Sequence, residues 1–501
     1  MLTELTKQSL QALKWSYLGV AGRVLVQLVV QIVLARLLGP EAFGSFATAI
    51  LVMGLGGLII EAGLGSSLIR EKEISDDQIR FVFTWLLISG IAVAMLVCVS
   101  ARWFADLFEN QRLDLVVFAM SPSLLFQSMG SVSLALLRRN LQHRFVQIAQ
   151  LSAYATGFAL VGVPCAFAGL SEWSLVIAWN VQCALGSILL YAKAWHPIRP
   201  LVTLKDYGVV KYGMNILGTN LANWIAENLD NMVVAKVFGP KSIGLYSMSY
   251  NLVRSPTNHL VVSLQQVLFP ASAQASREGY DVGSAYLTVL SIIALVSLPV
   301  FVSIAVLSEE TIVTLYGTSW VGAAELLTPL ALAMPFHAMM AVGGPVLWGL
   351  GRAGLEFKVQ VWIACVLLVV VVLTSRYSAV AVAWGVLAVY SLRALWLTWL
   401  LAECVEIRLG QMCSAVKGGV ILAAVNAMVL EVGSIFLKTH HIAAQSSLIA
   451  CAVPVLALDG AIVIVFSKFV LNEDLRIFLN KAVCGFMAFG HADPRNAGTG
   501  R

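Results

Sequence analysis

Stretches of about twenty consecutive apolar residues recur along nearly the whole of this chain. That recurrence restricts the fold more than any other feature of the sequence. Each stretch can cross a ~30 Å hydrocarbon core as a helix rising ~1.5 Å per residue. A transmembrane barrel requires alternating apolar and polar residues, and these runs do not alternate. The chain is 59% hydrophobic and 12% charged, against roughly 25% charged in soluble domains, so a water-soluble fold would lack a surface. The expectation is an all-α polytopic membrane protein.

Apolar windows bounded by charge, Gly or Pro give fourteen expected spans. Six lie in an amino-terminal lobe with its cytoplasmic link, residues 1–208, and six in a second lobe, 209–410. Two more, near 415–437 and 445–468, fall in 411–470 and precede a polar tail, 471–501. With the amino terminus inside, most Lys and Arg fall in inner segments, so the positive-inside rule places both termini in the cytoplasm. The start, "MLTELTKQSLQALKWSYLG", lacks a cleavable signal pattern and is expected to be retained. Eight cysteines are scattered singly with no CxxC pair, so neither metal, cofactor nor redox motif is indicated. The net charge of +5 sits beside membrane lipids and calls for no nucleic-acid partner. No Walker A pattern occurs, which excludes ATP hydrolysis by that route.

A second constraint is an internal repeat. "VLARLLGPEAFGSF", from Val33, returns as "VVAKVFGPKSIGLY", from Val233, 200 residues later. Ala35/Ala235, Gly39/Gly239, Pro40/Pro240 and Gly44/Gly244 match, Arg36 answers Lys236, and Phe46 answers Tyr246. Both copies fall at the turn from an odd span to the next, with six spans between them. The two halves therefore run the same way through the membrane, as a parallel repeat. Gly-Pro stops one helix, and the second Gly allows close helix contact in lipid.

Several segments then appear in an order that carries a family resemblance: "VLARLLGPEAFGSF", "EAGLGSSLIREKEIS", "LLRRNLQHRF", "DNMVVAKVFGPKSIGLYSMSYNLVRSP", "LQQVLFPASAQ" and "LYGTSWVGAAELLTPLALAMPFHAMMAVGGPVLWGLGR". On these, the chain resembles the polysaccharide transporter family of the multidrug/oligosaccharidyl-lipid/polysaccharide exporter superfamily, the Wzx-like flippases. The resemblance implies two six-helix lobes in a V around a central cavity, alternating access, and an undecaprenyl-diphosphate-linked oligosaccharide as cargo. A polysaccharide polymerase and co-polymerase are the partners it implies.

Charged groups at bilayer depth cost roughly 2.5–3.5 kcal/mol on insertion scales, so each needs a reason. On span seven, Asn220, Asn223, Glu227 and Asp230 recur at helical spacing along one face, with Asn231 adjacent. Span one has a counterpart in Arg23, Gln27 and Gln31, and span eight carries Arg254 and Asn258. Counted from the Gly-Pro corners, Arg23, Glu227 and Arg254 lie within about 6 Å of one depth. One reading is a cationic, amide-lined cavity. Arg23 and Arg254 would hold diphosphate, and Gln27, Gln31, Asn220, Asn223, Asn231 and Asn258 would bond sugar hydroxyls. Glu227 or Asp230 would carry a coupling H+ or Na+. The other reading is a buried polar lattice that only holds helices together.

Aromatics at helix ends, Trp15, Trp103, Trp173, Trp195, Tyr316 and Trp320, are expected to anchor at the membrane interface. Glu61 is expected near the inner end of span two, and His337 as a hydrogen-bonded packing residue. A cation-coupled multidrug exporter, a lipid II flippase and a membrane-embedded glycan polymerase are the rival functions. The arginines would repel cationic drugs, and the short outer loops tell against an enzyme.

Overall fold

The computed structural model describes residues 2–61, 74–202, 208–278 and 282–440, with isolated positions in 65–69 and 446–462. Side chains are described for fewer of these, excluding residues 2–21, Arg23 and most of 203–216 and 262–281. The fourteenth expected span and the tail fall largely outside the described residues, as do the Arg23 and Trp15 side chains.

Among the described residues every regular element is helical. The order is α1 Leu2–Glu61, α2 Asp76–Val99, α3 Ala101–Leu107, α4 Leu113–Met120, α5 Pro122–Arg139, α6 His143–Tyr154, a π-helix Ala155–Gly162, α7 Val163–Phe167 and α8 Glu172–Lys193. After the link come α9 Gly208–Glu278, α10 Val282–Val306, α11 Ser308–Tyr316, α12 Gly322–Gly349, α13 Ala353–Thr374, α14 Ala379–Val405 and α15 Leu409–Thr439. Thirteen helices fit the expected spans. Two pairs of these run on as one element because their corners are so tight.

Those corners have one geometry. Gly39 has φ 74° and ψ 176°, and Gly239 has φ 75° and ψ −175°. Pro40 and Pro240 have no N–H to donate, so the ladder breaks there, and glycine alone takes the positive φ cheaply. The span α4–α5 does not turn at Ser121-Pro122: Ser121 keeps helical angles, φ −56° and ψ −32°, and proline in the first turn of α5 only interrupts the ladder. In the span α6–α7 the register widens into the π-helix just before Pro164, which removes another donor. At the start of α2, Ser75 and Gln78 form a reciprocal capping box, at 3.2 and 3.0 Å.

The chain divides into two compact units. The first comprises residues 1–248, 315–323 and 371–382, and the second 249–314, 324–370 and 383–501. In the first, Val30, Leu34, Phe158, Leu175 and Ala178 form an apolar cluster, and Leu137, Val146, Ala149 and Leu190 another. In the second, α10 and α15 pack so closely that a β-carbon on Gly419 would collide with the Ala294 carbonyl. Small residues let helices approach this way in lipid, where water drives no association. Beyond the end of α8, His196 is 2% exposed and sits between Phe83 and Tyr191, ring centroids 5.0 and 5.1 Å away. Burial pulls its imidazole below the ordinary range.

Candidate functional site

The repeated segments meet each other within the first unit. Gly44 lies against the Pro240 carbonyl and Gly244 against the Pro40 carbonyl, and a β-carbon on either glycine would collide. The two basic residues of the repeat are bound reciprocally. Arg36 donates from Nε to the Leu315 carbonyl at 2.9 Å, and Lys236 donates from Nζ to the Leu107 carbonyl at 3.0 Å. Leu107 ends α3, and Leu315 lies in the last turn of α11. A cation there meets orphan carbonyls and the negative end of the helix dipole. Each half of the repeat thus caps the short helix that follows the other half's third span.

The corner also explains a misread aromatic. Trp320 is fully buried and Tyr316 nearly so, so neither is the interface anchor expected of it. The Trp320 indole N–H donates to the Ala35 carbonyl at 2.9 Å, in the last turn before the Gly39 corner, where helix carbonyls are short of donors. Its ring also meets Phe43 edge-on, centroids 5.6 Å apart. Trp103, Trp173 and Trp195 are exposed, as interface anchors should be.

The polar stripe of span seven splits by depth of burial. Asn220 is half-buried, and Asn223 and Glu227 are exposed, whereas Asp230 and Asn231 are buried. The Asp230 carboxylate accepts from the Tyr246 hydroxyl at 2.7 Å, the Asn231 backbone N–H at 2.8 Å and the Asn231 side-chain amide at 3.2 Å. Tyr246 lies beyond the Gly239 corner, so this bond ties the two arms of the hairpin. In span one, Gln31 donates to the Met248 sulfur at 2.7 Å, and the Gln27 carbonyl accepts from Tyr154 at 3.3 Å.

Arg254 and Asn258 belong to the second unit. The Arg254 guanidinium lies over the Tyr250 ring, 5.1 Å from its centroid, a cation–π contact. The Tyr250 and Tyr390 hydroxyls are 2.9 Å apart, and Tyr390 stacks on His337. His337 in turn lies 3.3 Å from the Asn258 side-chain oxygen. Arg393 pairs with Glu356 at 3.6 Å. Tyr250, Tyr390, Arg393 and Glu356 were not among the site residues expected from the sequence. Arg393, alone at mid-span in α14, was the one signal that could have found them.

A family model described as "Polysaccharide biosynthesis protein" matches residues 33–325. The chain belongs to that family. TuaB of Bacillus subtilis (strain 168), a teichuronic acid biosynthesis protein, is 22% identical over 89% of this chain and 93% of its own length. The lipopolysaccharide biosynthesis protein WzxC of Escherichia coli (strain K12) is 23% identical over 77% of this chain and 79% of WzxC. The succinoglycan biosynthesis transport protein ExoT of Rhizobium meliloti (strain 1021) is 25% identical over 68% of this chain and 69% of ExoT. Among solved structures, the lipid II flippase MurJ in an inward closed conformation matches with a TM-score of 0.71 at 14% identity, over 89% of this chain and 98% of MurJ. An inward-facing multidrug MATE transporter matches with 0.61, also at 14% identity, over 77% and 95%. These structural likenesses establish a fold, and this polysaccharide biosynthesis protein is a multi-pass membrane protein that has it.

Proposed function

We propose that this protein is a flippase that carries undecaprenyl-diphosphate-linked oligosaccharide repeat units from the cytoplasmic to the outer leaflet. The repeats 1–208 and 209–410 act as the two lobes of an alternating-access carrier in the bacterial inner membrane, with both termini cytoplasmic. Residues 411–470 add two helices and 471–501 a tail. Arg23 and Arg254 attract the diphosphate, and Gln27, Gln31, Asn220, Asn223, Asn231 and Asn258 line the path of the sugars. Glu227 and Asp230 are the carboxylates available to couple transport to an H+ or Na+ gradient. The chain hands its cargo to a polymerase and co-polymerase, and itself makes or breaks no bond.

The observation that carries this reading is Arg254 with Arg393: two guanidiniums within spans of a chain whose named relatives serve polysaccharide biosynthesis. Intramembrane charges mark substrate or ion paths, and guanidinium suits phosphate oxygens bidentately. The fold alone does not choose a cargo, because MurJ and MATE structures share it. Arginines favour an anionic lipid diphosphate over a cationic drug. The test is export of surface polysaccharide by cells whose only copy is Arg23→Ala or Arg254→Ala, with membrane abundance measured in parallel. Loss of polymer at normal abundance is expected, and normal secretion from both variants would refute the diphosphate role.

A further inference from the structure

A cavity of about 460 Å³ lies inside the first unit, bounded by the second arm of α1 and by α5, α6 and α8. Its polar lining is uncharged apart from Glu61, and includes Gln127, Gln150, Gln182 and Ser131, with Trp179 on one wall. Primary amides both donate and accept, which matches hydroxyl groups and wastes half its capacity on a phosphate or a cation. Size argues the same way. A cation is held by oxygens roughly 2.0–2.6 Å away, whereas this volume falls in the range of small-molecule sites, about 300–1,000 Å³. Among the described residues no group of three metal-ligating side chains occurs.

Two details point to a ligand. Gln182 lines the cavity, and its amide oxygen is buried with no hydrogen-bond partner. That oxygen is closed off from the cavity as well as from solvent, so what Gln182 offers a ligand hydroxyl is its amide N–H groups. Trp179 is held in place because its indole N–H donates to Ser123 at 3.0 Å and Phe46 meets the ring edge-on. A fixed indole offers an electron-rich face to the polarised C–H groups of a sugar ring. Glu61, the one charged side chain of the lining, is exposed.

We propose that this cavity is a pocket for one uncharged sugar ring of the transported glycan. The assignment rests on the flippase reading above and adds to it a site inside one repeat, remote in sequence from Arg254. Glu61 accepts hydrogen bonds from ring hydroxyls, and the three glutamines fix the ring's orientation.

The test measures equilibrium binding of two probes to the full chain in lipid nanodiscs: bare undecaprenyl diphosphate, and the same lipid carrying an uncharged tetrasaccharide. In Gln182→Leu the glycan-bearing lipid is expected to bind about five-fold more weakly, the worth of one hydrogen bond, while the bare lipid binds as to wild type. The thermal midpoint should hold, because the variant removes a buried orphan acceptor. Gly57→Ala gives a second reading. Its new methyl would lie 3.6 Å from the Gln127 amide oxygen, an ordinary contact, so it fills space without strain and should weaken the glycan-bearing lipid alone. If both variants bind both lipids as wild type does, or lose both equally, the sugar pocket is overturned and the flippase stands. A loss of sodium-dependent binding with glycan affinity intact would reassign the cavity to a cation and overturn the proposal. If wild type binds neither lipid, the flippase reading falls and the pocket with it.

Discussion

Asp230 shows how one residue can be either machinery or mortar. Its repeat counterpart is Val30, and Tyr246 answers Phe46. The first copy thus places an apolar pair, both in one hydrophobic cluster, where the second places a carboxylate and a phenol 2.7 Å apart. The hydroxyl of Tyr246 is therefore matched to Asp230 in the second copy, as the Phe46 ring is to an apolar neighbour in the first. Tyr246→Phe should cost roughly 1–3 kcal/mol, because it takes one donor from a buried charged acceptor. Combining it with Asp230→Val restores the pattern of the first copy and should recover most of that loss. Thermal midpoints of the two single variants and the double, compared with wild type, decide the coupling; a simple sum of the single effects would mean the bond is idle. Transport by the double variant then separates the roles. If Asp230 couples an ion, the stable double variant loses its dependence on a gradient; if Asp230 only ties the hairpin, transport persists. Glu227, one turn away and exposed, becomes the coupling group in that second case.

Among the elements, the Gly-Pro corner does three tasks with eight residues. Gly39 and Gly239 turn the chain, Gly44 and Gly244 admit the opposing proline carbonyl, and Arg36 and Lys236 cap α11 and α3. The turn was legible because glycine followed by proline between apolar runs has one physical outcome. The reciprocal capping was not, since α3 and α11 are too short to show a hydrophobic period and merge with the spans before them. Trp320 was misread for a related reason: an aromatic at a helix end looks the same whether it faces lipid or is buried against another helix's last turn. Gly44→Val and Gly244→Val should each push the corners apart, with losses at the upper end of overpacking, about 3 kcal/mol or more. Arg36→Ala and Lys236→Ala should each cost only about 0.3–1 kcal/mol, as exposed helix-end cations do. Yield and thermal midpoint of the four proteins check this ranking. A Gly44→Val protein as stable as wild type would show that the crossing is not close-packed in the membrane.

For the whole molecule, apolar runs carried the helical class through a solvent argument that needs no contacts, and the ordered segments from "VLARLLGPEAFGSF" onward carried the family. The division into compact units was less legible, because the turns at 315–323 and 371–382 join the first unit from late in the sequence, and no local pattern records so distant a partner. Orientation is a separate matter, set by where Lys and Arg lie relative to the spans. It makes a prediction that depends on both the fold and the repeat. After Cys365 and Cys413, which are exposed, and the other native cysteines are replaced by serine, single cysteines go in at Gln111, Arg199 and Tyr377, all exposed positions between spans. Gln111 precedes span four and Tyr377 precedes span twelve, so the proposed cytoplasmic termini would put both on the outer side and Arg199, in the link, inside. In intact spheroplasts a membrane-impermeant maleimide should label the cysteines at 111 and 377 at once, and the one at 199 only after the membrane is opened. Labelling at 199 alone would invert the whole topology. Labelling at 111 without 377 would leave an odd number of spans between those two turns and refute the even span count on which the two-lobe reading rests.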